Sequence, residues 1–139
     1  MSASSFHFAF FVKDLDSTRA FYTGLLGCPE GRSTDTWVDF DFFGNQISCH
    51  NTGDLVPTQN KGFVAGIAVP MPHFGAILPW DTFNEIAKRV RDKGVQFVLE
   101  PMIRYPGEKG EQATMFILDF SGNALEFKSF RHPEHVFTA

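Results

Sequence analysis

A chain of 139 residues, 43% hydrophobic and 20% charged, is one domain's worth of polypeptide and can bury its own core without staples. Its formal charge of −4 speaks against nucleic acid or an anionic membrane as partner, and no apolar run approaches the ~20 residues a bilayer span requires. The opening MSASSFHFAF lacks the basic flank of a signal peptide, and Cys28 and Cys49 form no C-x-x-C motif, so two free thiols in a reducing, cytoplasmic setting are the simplest reading and a disulfide between them the other. Seventeen phenylalanines point to a heavily aromatic core.

In chain order, HFAFFV from His7 reads as a strand, followed by a helix that Asp16 caps. Phe21 with Leu25 and Tyr22 with Leu26 form its buried stripe, and Gly27 ends it. TWVDFDFFGNQISCHN then reads as two strands hinged at Gly44-Asn45, and residues 51–72 join the two halves of the chain, punctuated by Pro57, Pro70 and Pro72. At His73 the opening repeats. HFGAIL is a strand, Asp81 caps a helix with stripe Phe83, Ile86, Ala87 and Val90, and Gly94 closes it. VQFVLEP and QATMFILDFSGNALEFKSF give further strands hinged at residues 119–123, and residues 131–139 read as a polar tail in which His132 and His135 are surface residues.

Each half is therefore β-α-β-β-β, with modules of about residues 5–52 and 66–130 in a single domain. The expectation is an α+β fold in which two half-sheets meet side by side as one curved mixed sheet, helices outside and a concave cup within. Strand alternation sends Phe6, Phe8, Phe10 and Val12 toward the helix and leaves His7, Ala9 and Phe11 for the cup. By the same count His73, Gly75 and Ile77 face the cup, as does Glu126 from the last strand. Two imidazoles and a carboxylate are the facial set that leaves open positions on a divalent metal. Taken singly, each such residue is ordinarily solvated. The coincidence of two histidines at equivalent places in a repeat, with a glutamate of matching parity, favours a metal site.

A two-residue Gly44-Asn45 turn pairs Phe42 with Ile47 and Asp39 with His50. A carboxylate against an imidazole can fix its tautomer and raise its basicity, so His50 with Asp39 is the candidate acid/base, against the alternative of a merely wet polar face.

Together, HFAFFVKDLDSTRAFYTGLLG, the second HFG and FILDFSGNALEF resemble the vicinal oxygen chelate superfamily, which contains glyoxalase I, fosfomycin-resistance transferases and extradiol dioxygenases. The likeness spans roughly residues 5–130 and implies paired βαβββ modules around a metal, with His7, His73 and Glu126 as ligands. The position matching glyoxalase I's fourth ligand holds Ser48, a poor ligand; Ala9 stands where fosfomycin transferases carry Thr; Phe116 stands where extradiol enzymes carry Tyr. The resemblance is strongest to small extradiol-type dioxygenases.

It implies a non-haem Fe(II) or Mn(II) centre, with Zn or Ni fitting the same donors, and a small catechol-like substrate chelating as an anion, with dioxygen as a co-substrate. Phe11, Ile77 and Phe116 would hold the ring, His50 would shuttle the proton, and Arg104, Tyr105 and a mobile loop over residues 106–111 would close the mouth. The same metal acting only as an electrophile gives the alternative of a lyase, isomerase or thiol transferase. A resistance protein that sequesters a small aromatic ligand is the non-enzymatic alternative. The resemblance further implies a homodimer, with the cup closed by one chain or by modules exchanged between two.

Overall fold

The computed structural model describes residues 4–57, 60–64 and 66–139. Residues 1–3 of the opening segment, and 58, 59 and 65 of the stretch joining the modules, lie outside the described residues. The fold is α+β and divides into two compact units, Met1–Pro57 with Asp119–Asn123, and Thr58–Leu118 with Ala124–Ala139.

The first unit runs β1 (His7–Val12), α1 (Leu15–Arg19) continuing as a π-helical turn (Ala20–Leu25), β2 (Glu30–Ser33), β3 (Trp37–Phe42) and β4 (Asn45–Asn51). Its sheet has the order β1-β4-β3-β2, with β1 parallel to β4 and the other neighbours antiparallel. The helix cap is Asp14, whose carboxylate accepts the Ser17 N–H at 2.7 Å; Asp16 instead occupies the first turn. Both aspartates suit the role by type, but only Asp14 precedes the first helical residue. The expected stripe is buried, since Phe21, Tyr22, Leu25 and Leu26 all have 3% exposure or less. Tyr22 meets Phe21 edge-on at 4.8 Å and Phe40 at 5.4 Å, and Val38, Phe42, Ile47 and Cys49 complete the core. A buried tyrosine needs a partner for its hydroxyl. Tyr22 donates to Asp119 Oδ2 at 2.8 Å.

The hairpin β3–β4 differs from the expected register by two residues. Its turn is Phe43-Gly44, with φ of 52° and 88°, and Gly44 N–H donates to Asp41 Oδ1 at 2.8 Å. Two positive φ angles define the tight turn whose twist matches the strands. Phe43 does not advertise that role, because bulky residues seldom enter the left-handed region. Phe42 therefore pairs with Asn45, Asp39 with Ser48, and Trp37 with His50. A shift of two preserves which face each residue takes, so the apolar face is as expected.

The second unit opens with a hairpin, β5 (Asn60–Val64) and β6 (Ile67–Met71), inside the stretch read as a plain join. There follow β7 (Phe74–Ile77), α2 (Trp80–Asp92), β8 (Phe97–Arg104), β9 (Gln112–Leu118) and β10 (Ala124–Phe130). The sheet order β7-β10-β9-β8, with β7 parallel to β10, reproduces that of the first unit. Helix α2 begins after Pro79 with no side-chain cap, so Asp81 serves the first turn rather than the cap. Proline fits a helix start because it lacks only an N–H that would be unpaired there. Phe83, Ile86, Ala87 and Val90 are buried, as are Met115, Ile117, Leu125 and Phe127, and α2 packs on β10. Each large apolar side chain so buried contributes on the order of 1.5–3 kcal/mol.

The aromatic content is not all core. Phe6, Phe11, Phe63 and Phe137 are largely exposed.

Candidate metal centre

His73 immediately precedes β7, and the parallel register of β7 with β10 places Gly75 beside Glu126. Close approach of the two backbones is possible only because residue 75 lacks a side chain, for a Cβ there would overlap the Glu126 carbonyl oxygen. His73 Nε2 lies 3.2 Å from Glu126 Oε1. On the far side of the ring, Nδ1 lies 2.9 Å from the Pro70 carbonyl oxygen. A carbonyl only accepts, so Nδ1 carries a proton, and in the singly protonated ring the Nε2 lone pair faces Glu126. Thr114, opposite Lys128 on β9, donates to Glu126 Oε2 at 2.5 Å and leaves Oε1 for His73.

In that form two acceptors converge on one another. Such a pair demands either an added proton on the imidazole or a cation held by both. Donors about 2.0–2.2 Å from one ion and at right angles to each other would be roughly 3 Å apart, so the observed spacing fits adjacent ligands. The donor set therefore fits a divalent metal. Glu126 is 9% exposed, and Phe116, its partner across β9–β10, is wholly buried with its ring edge-on to the imidazole at 4.8 Å. Phe116 sits in a cluster with Val69 and Leu99 and so supports His73 rather than offering the open wall expected of it.

In the first unit the faces are as expected on β1: His7, Ala9 and Phe11 exposed, Phe8 and Phe10 partly covered, Val12 buried. His7 Nδ1 is 2.8 Å from Gln46 Oε1, Gln46 Nε2 donates to Asp39 Oδ2 at 3.2 Å, and Ser48 Oγ donates to Asp39 Oδ1 at 2.5 Å. Asp39 and Ser48 are buried. A cleft of about 350 Å³ opens beside them, lined in part by Arg32, Asp39, Asp41 and Gln46.

The expected pairing of His50 with Asp39 does not form. The two-residue register shift sets His50 against Trp37, ring centroids 6.4 Å apart, and gives Asp39 to Ser48 and Gln46. Gln46 does not stand out in the sequence because its partners become visible only through the β1–β4 and β3–β4 registers together.

Within neither unit do the described residues gather three His, Cys, Asp or Glu side chains suited to a metal. His73 and Glu126 belong to one unit and His7 to the other. Lys128 lies two residues beyond Glu126 on the same face, half-buried and without an ion pair among the described residues. Ile77 and Phe11 are 53% and 61% exposed. Arg104 donates to the Tyr105 hydroxyl at 3.0 Å, its guanidinium 4.9 Å from the ring centre.

The loop after Tyr105 is tied down rather than free. Glu111 accepts from Gly107 N–H at 2.8 Å and from Arg131 at 3.1 Å, and these bonds, the backbone one first, hold its carboxyl below the usual range. His135 Nδ1 meets the Lys109 carbonyl at 2.8 Å, so the polar tail, with a 3₁₀ turn at Pro133–His135, packs on that loop. Both cysteines are buried and neither is in a disulfide, and burial pushes the Cys49 thiol far up, which removes it from nucleophilic chemistry.

The sequence profile of the Glyoxalase/Bleomycin resistance protein/Dioxygenase superfamily matches residues 5–127. The chain belongs to that superfamily. Among solved structures similar to this superfamily member, a glyoxalase/bleomycin resistance protein/dioxygenase from Alicyclobacillus acidocaldarius is 28% identical, with 96% of each chain covered and a TM-score of 0.77. The fosfomycin resistance protein FosX of Listeria monocytogenes is 20% identical over 98% of this chain and 100% of its own, with a TM-score of 0.71. A virulence protein of Salmonella typhimurium is 21% identical over 94% and 98%, with a TM-score of 0.64. A comparison with curated proteins returns no match. These likenesses establish the vicinal oxygen chelate fold, whose members generally use a divalent metal, bind small molecules and often act as dimers. No helix among the described residues is long and apolar enough to cross a membrane.

Proposed function

We propose that this superfamily member is a divalent-metal enzyme whose ion is held by His7, His73 and Glu126, with His7 supplied by the same chain or by a second copy in a homodimer. The observation that carries the reading is the convergence of His73 Nε2 and Glu126 Oε1 at 3.2 Å, each side chain held in place from behind. Fe(II) or Mn(II) is the preferred ion for such a facial donor set, with Zn or Ni as other occupants. When bound, the metal supplies Lewis acidity and a template for orienting a chelating substrate.

The protein's own residues do the rest. The Pro70 carbonyl fixes the His73 tautomer, and Thr114 turns Glu126 so that one oxygen stays free. Lys128, on the same face and without an ion pair among the described residues, offers its ammonium to a substrate that binds as an anion. Phe11 and Ile77 present apolar surface to its flat part, and the Arg104–Tyr105 pair supplies donors at the strand end. Extradiol-type ring cleavage of a small catechol-like substrate by dioxygen is the reading these features favour, with His50 as the acid/base, now without Asp39 as its partner.

The test is metal content with oxygen uptake after anaerobic Fe(II) reconstitution, across a panel of catechols. Uptake that requires a catechol and is lost in His73→Ala and Glu126→Gln supports the dioxygenase. Turnover of a substrate without dioxygen, equally dependent on those residues, moves the assignment to the lyase, isomerase or thiol-transferase reading. Ligand binding indifferent to all three substitutions, His7→Ala included, makes the protein a sequestering binder.

A further inference from the structure

We infer that Asp39 is a positioning residue which, acting through Gln46, dictates the tautomer of His7. The buried carboxylate of Asp39 can only accept hydrogen bonds. It takes one from Ser48 Oγ at 2.5 Å on Oδ1 and one from Gln46 at 3.2 Å on Oδ2. The Gln46 group facing it must therefore be the NH₂. That choice turns the amide oxygen toward His7, 2.8 Å from Nδ1. An amide oxygen only accepts, so Nδ1 must bear the proton and Nε2 is left with its lone pair. One negative charge on β3 thus sets the polarity of a chain that crosses β4 and ends on β1.

The strand registers make this possible. Parallel pairing puts Gln46 beside His7, and the Phe43-Gly44 turn puts Asp39 opposite Ser48, one pleat from Gln46. Had the turn fallen at Gly44-Asn45, Asp39 would have faced His50 and the chain could not exist. Ser48 is spent in the same network. Its hydroxyl orients Asp39 instead of facing outward as a ligand. Because a metal needs the unprotonated nitrogen, fixing Nδ1–H pre-forms His7 for ligation. That consequence rests on the metal-site reading; the tautomer itself does not.

The experiment is nitrogen-15 NMR of the metal-free protein with labelled histidine, the His7 signal being assigned by its loss in His7→Asn. Wild type is expected to show His7 protonated at Nδ1. In Asp39→Asn, Ser48 donates to the new amide oxygen and the new NH₂ faces Gln46. Gln46 then turns round, presents N–H to His7 and moves the proton to Nε2. Gln46→Ala alters an exposed side chain and should release His7 from a single tautomer, while Ser48→Ala should leave Nδ1–H in place. Wild-type His7 protonated at Nε2, or Nδ1–H retained as the sole form in both Asp39→Asn and Gln46→Ala, would overturn the inference. Mn(II) affinity, measured by dialysis, should weaken about 10–100-fold in both variants. If the tautomer responds as expected but wild type binds no metal, the relay stands and the metal site fails. If metal binds and the tautomer is indifferent to Asp39 and Gln46, the relay fails and the metal site stands.

Discussion

The two modules share a strand order and a helix position yet hold their imidazoles by different means. In the second, a main-chain carbonyl at Pro70 fixes His73, and Glu126 stands against it with Thr114 behind. In the first, His7 depends on a run of side chains, Gln46 and then Asp39. A carbonyl cannot be removed by substitution, whereas a side-chain relay can be broken or reversed at any link. A repeated fold thus fixes where each imidazole stands but leaves its hydrogen-bond partners to local sequence.

The same contrast runs through the residue two places after each histidine. In the second module this is Gly75, and a methyl there would strike the Glu126 backbone; in the first it is Ala9, paired with Ser48 without difficulty. Gly75→Ala should force β7 from β10 and cost about 3 kcal/mol or more in denaturant unfolding, with His73 drawn away from Glu126. Ala9→Gly should cost about 1 kcal/mol or less. Equal effects would mean that the close approach at Gly75 is not a requirement of the fold.

Next in size is the support behind Glu126. Thr114→Val keeps the shape and removes the hydroxyl that donates to Oε2, so divalent-metal affinity should fall about 10–100-fold while the melting temperature changes little. Unchanged affinity would show that the second module's carboxylate is placed by its strand alone.

The helix starts give the smallest contrast. Asp14→Ala removes a hydrogen-bonded cap and should cost about 1 kcal/mol, whereas Asp81→Ala, in a first turn after Pro79, should cost only about 0.3–0.5 kcal/mol. The difference should also depend on pH. The Ser17 backbone N–H holds the Asp14 carboxyl below its ordinary value. A depressed folded value means that this stabilisation is complete above about pH 5 and is lost as pH falls through the folded value. The advantage of wild type over Asp14→Ala should therefore shrink in acid, and a gap that held constant to pH 2 would contradict the cap.

Much of this is legible in the chain, because alternation and repetition are local. The faces of β1, the stripes of both helices, and the equivalent placing of His7 and His73 follow from periods of two and 3.6 that need no knowledge of neighbours. The register of β3 on β4 does not. It turns on Phe43 accepting a positive φ beside Gly44, when Gly44-Asn45 offers a more usual pair. That single choice decides whether Asp39 serves His50 or reaches His7. The short edge strand β2 shows no alternation, since all four of its residues are exposed. The hairpin β5–β6 hides in a stretch whose prolines and glycines read as a connector. Phe116 can be set opposite Glu126 from the sequence, but its complete burial depends on Val69 and Leu99, which lie on other strands.

The most direct test of the proposed centre is the anomalous scattering of Mn(II) in crystals of the protein. The account predicts one ion with His73 Nε2 and Glu126 Oε1 at about 2.0–2.2 Å and an Nε2 of His7, from the same chain or a second copy, at a like distance. An ion bound without either imidazole, or crystals in which His73 and Glu126 keep their 3.2 Å contact with no ion between them at saturating Mn(II), would contradict it.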